Sequence, residues 1–227
     1  MTVELVAYLS VGTIAMFLSM LVGQRHRRSI SQWEIPIAAV LLTVIGVLGA
    51  KLMFFIENGG WRGTSFFGAL FFAPPIMALS ALLLHTKVSG LLDLCAPAEC
   101  VMLAVLKVQC FLAGCCGGRC LWYTKNGTMV TFPSQIVEFC NALLLMVVLL
   151  RLMRRDTMHG RIYPMYLLLY GITRFCLNLL RETTPFLLGL PAGNFWSLIA
   201  IFIGGVWLWL TRRPKGDKNE EHKEAAS

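Results

Sequence analysis

Seven stretches of mostly apolar residues follow one another along this chain, at residues 3–22, 36–56, 66–85, 91–114, 134–153, 163–180 and 194–210. Coiled as α-helices, runs of about 20 residues match the hydrocarbon thickness of a bilayer. No other feature restricts the fold as strongly. In lipid every backbone N–H and C=O must find a partner within the chain, which leaves helices or closed barrels, and unbroken apolar runs are helices. Only 14% of the residues are charged and 57% are hydrophobic, where soluble domains carry about 25% charged residues. A mean hydropathy of +0.69 agrees. The expected fold is all-α: a polytopic membrane protein of seven transmembrane helices, one domain over residues 1–211, with a polar cytoplasmic tail over 212–227.

The first run starts almost at Met1 with no basic segment before it, and Arg25, Arg27 and Arg28 follow it. That order reads as a retained span rather than a cleavable signal. With the N-terminus outside, thirteen Lys and Arg residues fall in inside segments and four in outside segments: Arg62, Arg119, Lys125 and Arg181. Positive residues gather on the inner side of membrane proteins, so the N-terminus is expected outside and the C-terminus inside. The net charge of +8 is thereby a sign of topology, and no nucleic-acid partner is expected.

Charges at membrane depth are costly and mark functional sites by default. Lys51, Asp93, Glu99, Lys107, Glu138 and Arg174 are the candidates. At a rise of about 1.5 Å per residue, Lys51, Lys107, Glu138 and Arg174 all fall in the outer half, each on a different span. Tyr170, Arg174, Asn178 and Arg181 share one helical face by their spacing. Cations outnumber acids at this level, and guanidinium groups suit phosphate through paired hydrogen bonds. The expected partner is a phospholipid headgroup, with a plain Arg174–Glu138 tie between helices as the bland reading.

The segment "CFLAGCCGGRC" then lies on the outer side. Its cysteine spacing lacks the paired C-x2-C of a structural zinc site, so no metal is expected. Disulfides from Cys116 or Cys115 to Cys120 are one reading. A reactive thiol at Cys115 or Cys116 is another, since Lys107 or Arg119 would favour the thiolate. Gly114, Gly117 and Gly118 would let the backbone approach a phosphate. Cys95, Cys100, Cys140 and Cys176 read as packing residues.

"KVQCFLAGCCGGRC", "FPSQIVEF" and "YGITRFCLNLLR", in that order on successive spans, resemble the bacterial prolipoprotein diacylglyceryl transferase family. "GVLGAKLMFFIENGGWRGTSFFGAL" looks like its second span and following loop. The resemblance implies seven spans in the plasma membrane and transfer of a diacylglyceryl group from phosphatidylglycerol to the thiol of a prolipoprotein cysteine, with release of glycerol phosphate and no cofactor. It assigns roles to Arg174, Tyr170, Glu138, Gly114, Gly118 and Arg119. This chain also departs from the family pattern. Lys107 stands for an arginine, Cys110 for an asparagine, Cys115 and Asn178 for glutamates, and "TSFFGAL" replaces a His-Gly-Gly segment. His26, His85, His159 and His222 all fall on the inner side and cannot replace that histidine.

The expected machinery has two parts. Lys107, Gly114, Gly118, Arg119, Arg174, Asn178 and Arg181 bind the lipid donor, while Glu138, Tyr170 and Cys115 or Cys116 take part in the chemistry. A prolipoprotein signal peptide is the expected second partner. The rival readings are a non-catalytic or thiol-redox membrane protein on the same scaffold, and a small-anion transporter.

Overall fold

The computed structural model describes residues 3–26, 30–61, 63–83, 85–114, 117–123, 129–181, 185–187 and 189–211. Seven long helices fill most of them: α1 Val3–His26, α2 Glu34–Asn58, α3 Phe66–Leu83, α4 Val88–Leu112, α5 Ser134–Leu152, α6 Ile162–Asn178 and α7 Ala192–Leu210. Every helix end lies within four residues of the end of an apolar run. Expectations placed on Cys115, Cys116 and the tail from 212 fall outside the described residues.

Five helices are long and apolar enough to cross a membrane by composition alone: residues 6–26 of α1, then α2, α3, α5 and α7. The other two carry charged residues at depth, Asp93, Glu99 and Lys107 on the 25-residue α4 and Arg174 on the 17-residue α6, and packing accommodates them. Helix α4 has α1, α3, α5 and α6 around it, and every residue from 90 to 100 is buried. A helix surrounded by protein meets little lipid and can carry groups that the protein satisfies. Helix α6 is covered by α4, α5 and α7.

Close approach needs small residues. A methyl group on Gly68 of α3 would run into the Gly49 carbonyl of α2. On the other side of the bundle, a methyl on Gly204 of α7 would sit 2.8 Å from the Pro164 carbonyl of α6.

Polarity is distributed inside out. Val11, Ile14 and Leu18 of α1, Val40, Val44 and Leu48 of α2, and Phe202 of α7 are exposed. Asp93, Glu99, Ser134, Glu138, Asn178, Asn194 and Ser197 are buried. Soluble proteins show the opposite trend. The chain is a multi-pass membrane protein.

Two buried acids of α4 act as structural partners. Asp93 accepts hydrogen bonds from the Gly160 N–H at 2.7 Å and the Ile162 N–H at 3.0 Å. The two donors belong to the start of α6, where no local side chain caps the helix. Further along, the Tyr163 hydroxyl of α6 lies 2.9 Å from the Leu70 carbonyl of α3 and 3.1 Å from Glu99 Oε1. Glu99 thus takes part in a junction of three helices.

The long segment between α4 and α5 contains a hairpin, which apolar periodicity does not reveal. Strand β1 (Cys120–Tyr123) pairs antiparallel with β2 (Met129–Thr131), with an irregularity between Cys120 and Trp122. A second small pair, β3 (Pro185–Leu187) with β4 (Leu190–Pro191), joins α6 to α7 at the same end of the bundle. Strand pairing gives partners to backbone groups that have left a helix.

Candidate functional site: a shared carboxylate at the hairpin end

Glu138 lies in the second turn of α5, directly after the hairpin, and only 4% of it is exposed. Three cations from two other chain segments converge on it. Lys107 Nζ of α4 is 2.6 Å from Oε2. Arg174 NH1 of α6 is 2.5 Å from Oε1, and Arg181 NH1, just past the end of α6, is 3.0 Å from the same oxygen. The cationic side chains are 12–16% exposed, so they are reachable from one side.

Helix geometry explains the convergence. Arg174 and Arg181 stand seven residues apart, two helical turns on one face. The chain turns tightly after Asn178, with Arg181 N–H bonded to the Asn178 carbonyl at 3.2 Å, and this brings Arg181 back over the helix end. A second tie holds α5 to α6 one turn deeper, where Asn141 Nδ2 donates to Thr173 Oγ1 at 3.1 Å.

One carboxylate cannot neutralise three cations. Glu57 of α2 adds negative charge at longer range from Arg174, while receiving the Ser65 hydroxyl at 2.8 Å. Among the described residues the cations at this pole outnumber the acids, and burial makes such an excess costly unless an anion joins it. Unused donors point to the same need. Arg181 Nε and Asn178 Nδ2 are buried with no hydrogen-bond partner among the described residues.

The hairpin segment is tied into this pole through its backbone. Gly118 N–H donates to the Phe132 carbonyl at 3.0 Å, Phe132 N–H to the Arg119 carbonyl at 2.9 Å, and Arg119 N–H to the Leu180 carbonyl at 3.0 Å. Residue 118 must be glycine here, because a Cβ would meet Phe132 Cβ and O at 2.7 Å. Gly114 turns the chain out of α4 with a φ of 64° and has open space around it. The backbone link places Arg119 one residue from Arg181 through Leu180, and the Arg119 residue itself is exposed.

Tyr170 sits one turn below Arg174 and is 2% exposed. Its ring packs against Phe66 and Phe67 at the start of α3, at centroid distances of 5.5 and 5.8 Å. Asn178 is 4% exposed and lies so close to Gly193 that a methyl there would collide with its amide.

The structure brings Lys107, Glu138, Arg174 and Arg181 together, with Tyr170 and Asn178 on the same helix face. It sorts other expected groups elsewhere. Lys51 does not join the cluster: its Nζ donates to the Trp61 carbonyl at 3.0 Å and braces the connection after α2. Asp93 and Glu99 serve α6 and the three-helix junction. Cys95 and Cys100 are buried as packing residues, but Cys140 and Cys176 are exposed on the outer faces of α5 and α6. Sequence reasoning passed over Asn194, whose Oδ1 is buried without a partner among the described residues, and Trp196, whose indole lies beside the Glu57 carboxylate. The one signal was an asparagine and a tryptophan at the start of an apolar run.

Comparisons with known proteins give the family. The family profile described as prolipoprotein diacylglyceryl transferase matches residues 2–210. The chain is 27% identical over 214 residues to phosphatidylglycerol–prolipoprotein diacylglyceryl transferase 2 of Clostridium perfringens, covering 82% of each chain. It is 31% identical over 178 residues to the Paracidovorax citrulli phosphatidylglycerol–prolipoprotein diacylglyceryl transferase, covering 71% of this chain and 64% of that one. It is 26% identical over 231 residues to the Clostridium tetani protein of the same description, covering 87% and 88%. With a match along nearly the whole chain, this protein belongs to the prolipoprotein diacylglyceryl transferase family.

Proposed function

We propose that this protein transfers a diacylglyceryl group from phosphatidylglycerol to a thiol acceptor, the lipobox cysteine of a prolipoprotein signal peptide. The reaction takes place at the outer face of the bacterial plasma membrane. The supporting topology is seven spans with the N-terminus outside, which puts the hairpin end at the outer leaflet. One observation carries the reading: three cations share the single buried carboxylate of Glu138. That arrangement is positive and partly open, and it can receive a lipid phosphate.

In the proposed complex, Arg174, Lys107 and Arg181 hold the phosphate oxygens, and Arg119 approaches from the hairpin side. Gly114 and Gly118 let the backbone turn close to the headgroup. Asn178 supplies a buried amide to its polar part. Glu138 keeps the cations in place before the donor arrives, so little reorganisation accompanies binding. The acceptor sulfur attacks the glyceryl carbon that carries the phosphate. A C–S bond forms as the C–O bond breaks, and its electron pair leaves with glycerol phosphate. The cations stabilise the charge that grows on the leaving oxygen. The acceptor thiol must lose its proton. A thiolate at Cys115 or Cys116 takes it, and the Tyr170 hydroxyl hydrogen-bonds the phosphate.

The test is purified protein incubated with phosphatidylglycerol and a lipobox peptide, read by mass. A gain equal to one diacylglyceryl group on the peptide cysteine is expected. A peptide of unchanged mass would remove the proposal. Full activity in the Cys115→Ser/Cys116→Ser double variant would move the base away from the loop thiols.

A further inference from the structure

The end of the bundle away from Glu138 holds a cleft of about 600 Å3. Sites for small molecules span about 300–1,000 Å3. Lys87, Ser89, Leu92, His159, Trp207 and Thr211 are among its lining residues. They come from the start of α4, the connection before α6 and the end of α7, so three separate segments enclose the space.

The lining divides by chemistry. Lys87 and His159 belong to different connections, and both are exposed. Lysine offers an ammonium, and a histidine donates an N–H in either neutral tautomer. Ser89 adds an exposed hydroxyl. The first turn of α4 forms part of the same wall, and no side chain caps it. The nearby carboxylate, Asp93, is 1% exposed and already receives the Gly160 and Ile162 N–H groups. His159 Nδ1 lies 3.7 Å from it, which steadies the ring. Among the described lining residues donors therefore dominate the mouth. Val88, Leu92 and Trp207 form an apolar flank, and tryptophan at a helix end suits headgroup depth.

We propose that this cleft is a second binding site, for a phosphate ester anion held by Lys87, His159 and Ser89, on the opposite side of the membrane from the Glu138 cluster. The apolar flank suits the glycerol backbone of an anionic phospholipid, and basic pockets between membrane helices take such headgroups. A soluble ester such as glycerol phosphate presents the same anion. The proposal stands apart from the transferase reading.

Native mass spectrometry of the full chain in a neutral detergent tests it. The probes are dioleoylphosphatidylglycerol, dioleoylphosphatidylcholine and glycerol phosphate. The detergent-solubilised wild type is expected to retain one more phosphatidylglycerol than the Lys87→Ala/His159→Gln variant, and to retain no phosphatidylcholine in that place. Both substituted side chains are exposed, so the variant should keep its melting temperature; should it unfold, the exposed single variant Lys87→Glu takes its place. Retention of phosphatidylglycerol without glycerol phosphate names the lipid as the source, and the reverse names the soluble ester. Equal phosphatidylglycerol and phosphatidylcholine retention, or equal retention of every probe by wild type and variant, overturns the site. Loss of a lipid from Arg174→Ala alone reports on the Glu138 cluster and leaves this site unaffected.

Discussion

Glu138 and Glu99 are both buried glutamates on helices that pack against each other, yet they do opposite things. Glu138 touches three cations, and those cations outnumber it. Glu99 has no cationic partner among the described residues. Its neighbour is the Tyr163 hydroxyl, whose single hydrogen faces two acceptors, Glu99 Oε1 and the Leu70 carbonyl. A carbonyl can only accept. Tyr163 therefore shares its one hydrogen between the two oxygens, and Glu99 is held by a hydroxyl rather than by a cation. Depth separates them. At the hairpin end side chains reach the membrane edge and can gather charge, whereas mid-bundle a bare carboxylate would be an uncompensated buried charge. A buried acid in a membrane bundle is thus a functional sign only when its partners are charged.

The largest effect expected from breaking this contrast is at Arg174. Arg174→Ala should lower diacylglyceryl transfer by about 100-fold or more, the scale seen when one preorganised stabilising donor is removed. The protein should still be recovered folded in membranes. Wild-type transfer rates in this variant would leave Glu138 as a tie between helices and nothing more.

The next effect is on stability. Glu138→Gln should cost about 3–5 kcal/mol, because it leaves three cations without their shared anion. Glu99→Gln should stay within about 1 kcal/mol, since the amide oxygen can still accept from the Tyr163 hydroxyl and no cation loses a partner. Reversible unfolding in mixed micelles compares the two directly. Equal losses would erase the distinction between them.

The smallest effect is at Lys107. Its ammonium makes one contact with Glu138 Oε2, which a guanidinium can also make. Lys107→Arg should keep transfer within about threefold of wild type, because the position is used as a charge rather than as a forked donor. Lys107→Met should fall well below it in the same assay.

Much of this was legible in the sequence. Depth along a helix accumulates residue by residue, so Lys107, Glu138 and Arg174 could be assigned to one level before any helix was packed. The direction each side chain faces around its helix depends on neighbours. Lys51 sits at similar depth, yet it turns to the Trp61 carbonyl. Arg181 belonged to a visible stripe, but its seat on Glu138 depends on the turn after Asn178. The hairpins escaped apolar periodicity because their strands are short and their pairing is made by backbone. Asn194 looked like the border of an apolar run, and only the packing of α7 shows it buried.

Asp93 carries one more consequence, about the order of assembly. The first N–H groups of a helix have no partner within it, and lipid offers none. For α6 the missing partner is supplied by a carboxylate 69 residues earlier, on α4. The starting point of the sixth helix is therefore encoded in the fourth, which has already been synthesised when α6 emerges from the ribosome. A chain carrying Asp93→Leu should insert α6 with a frayed first turn, seen as faster hydrogen exchange at Gly160 and Ile162. Supplying α1–α4 and α5–α7 as two co-expressed pieces should restore protection only when the first piece keeps its aspartate.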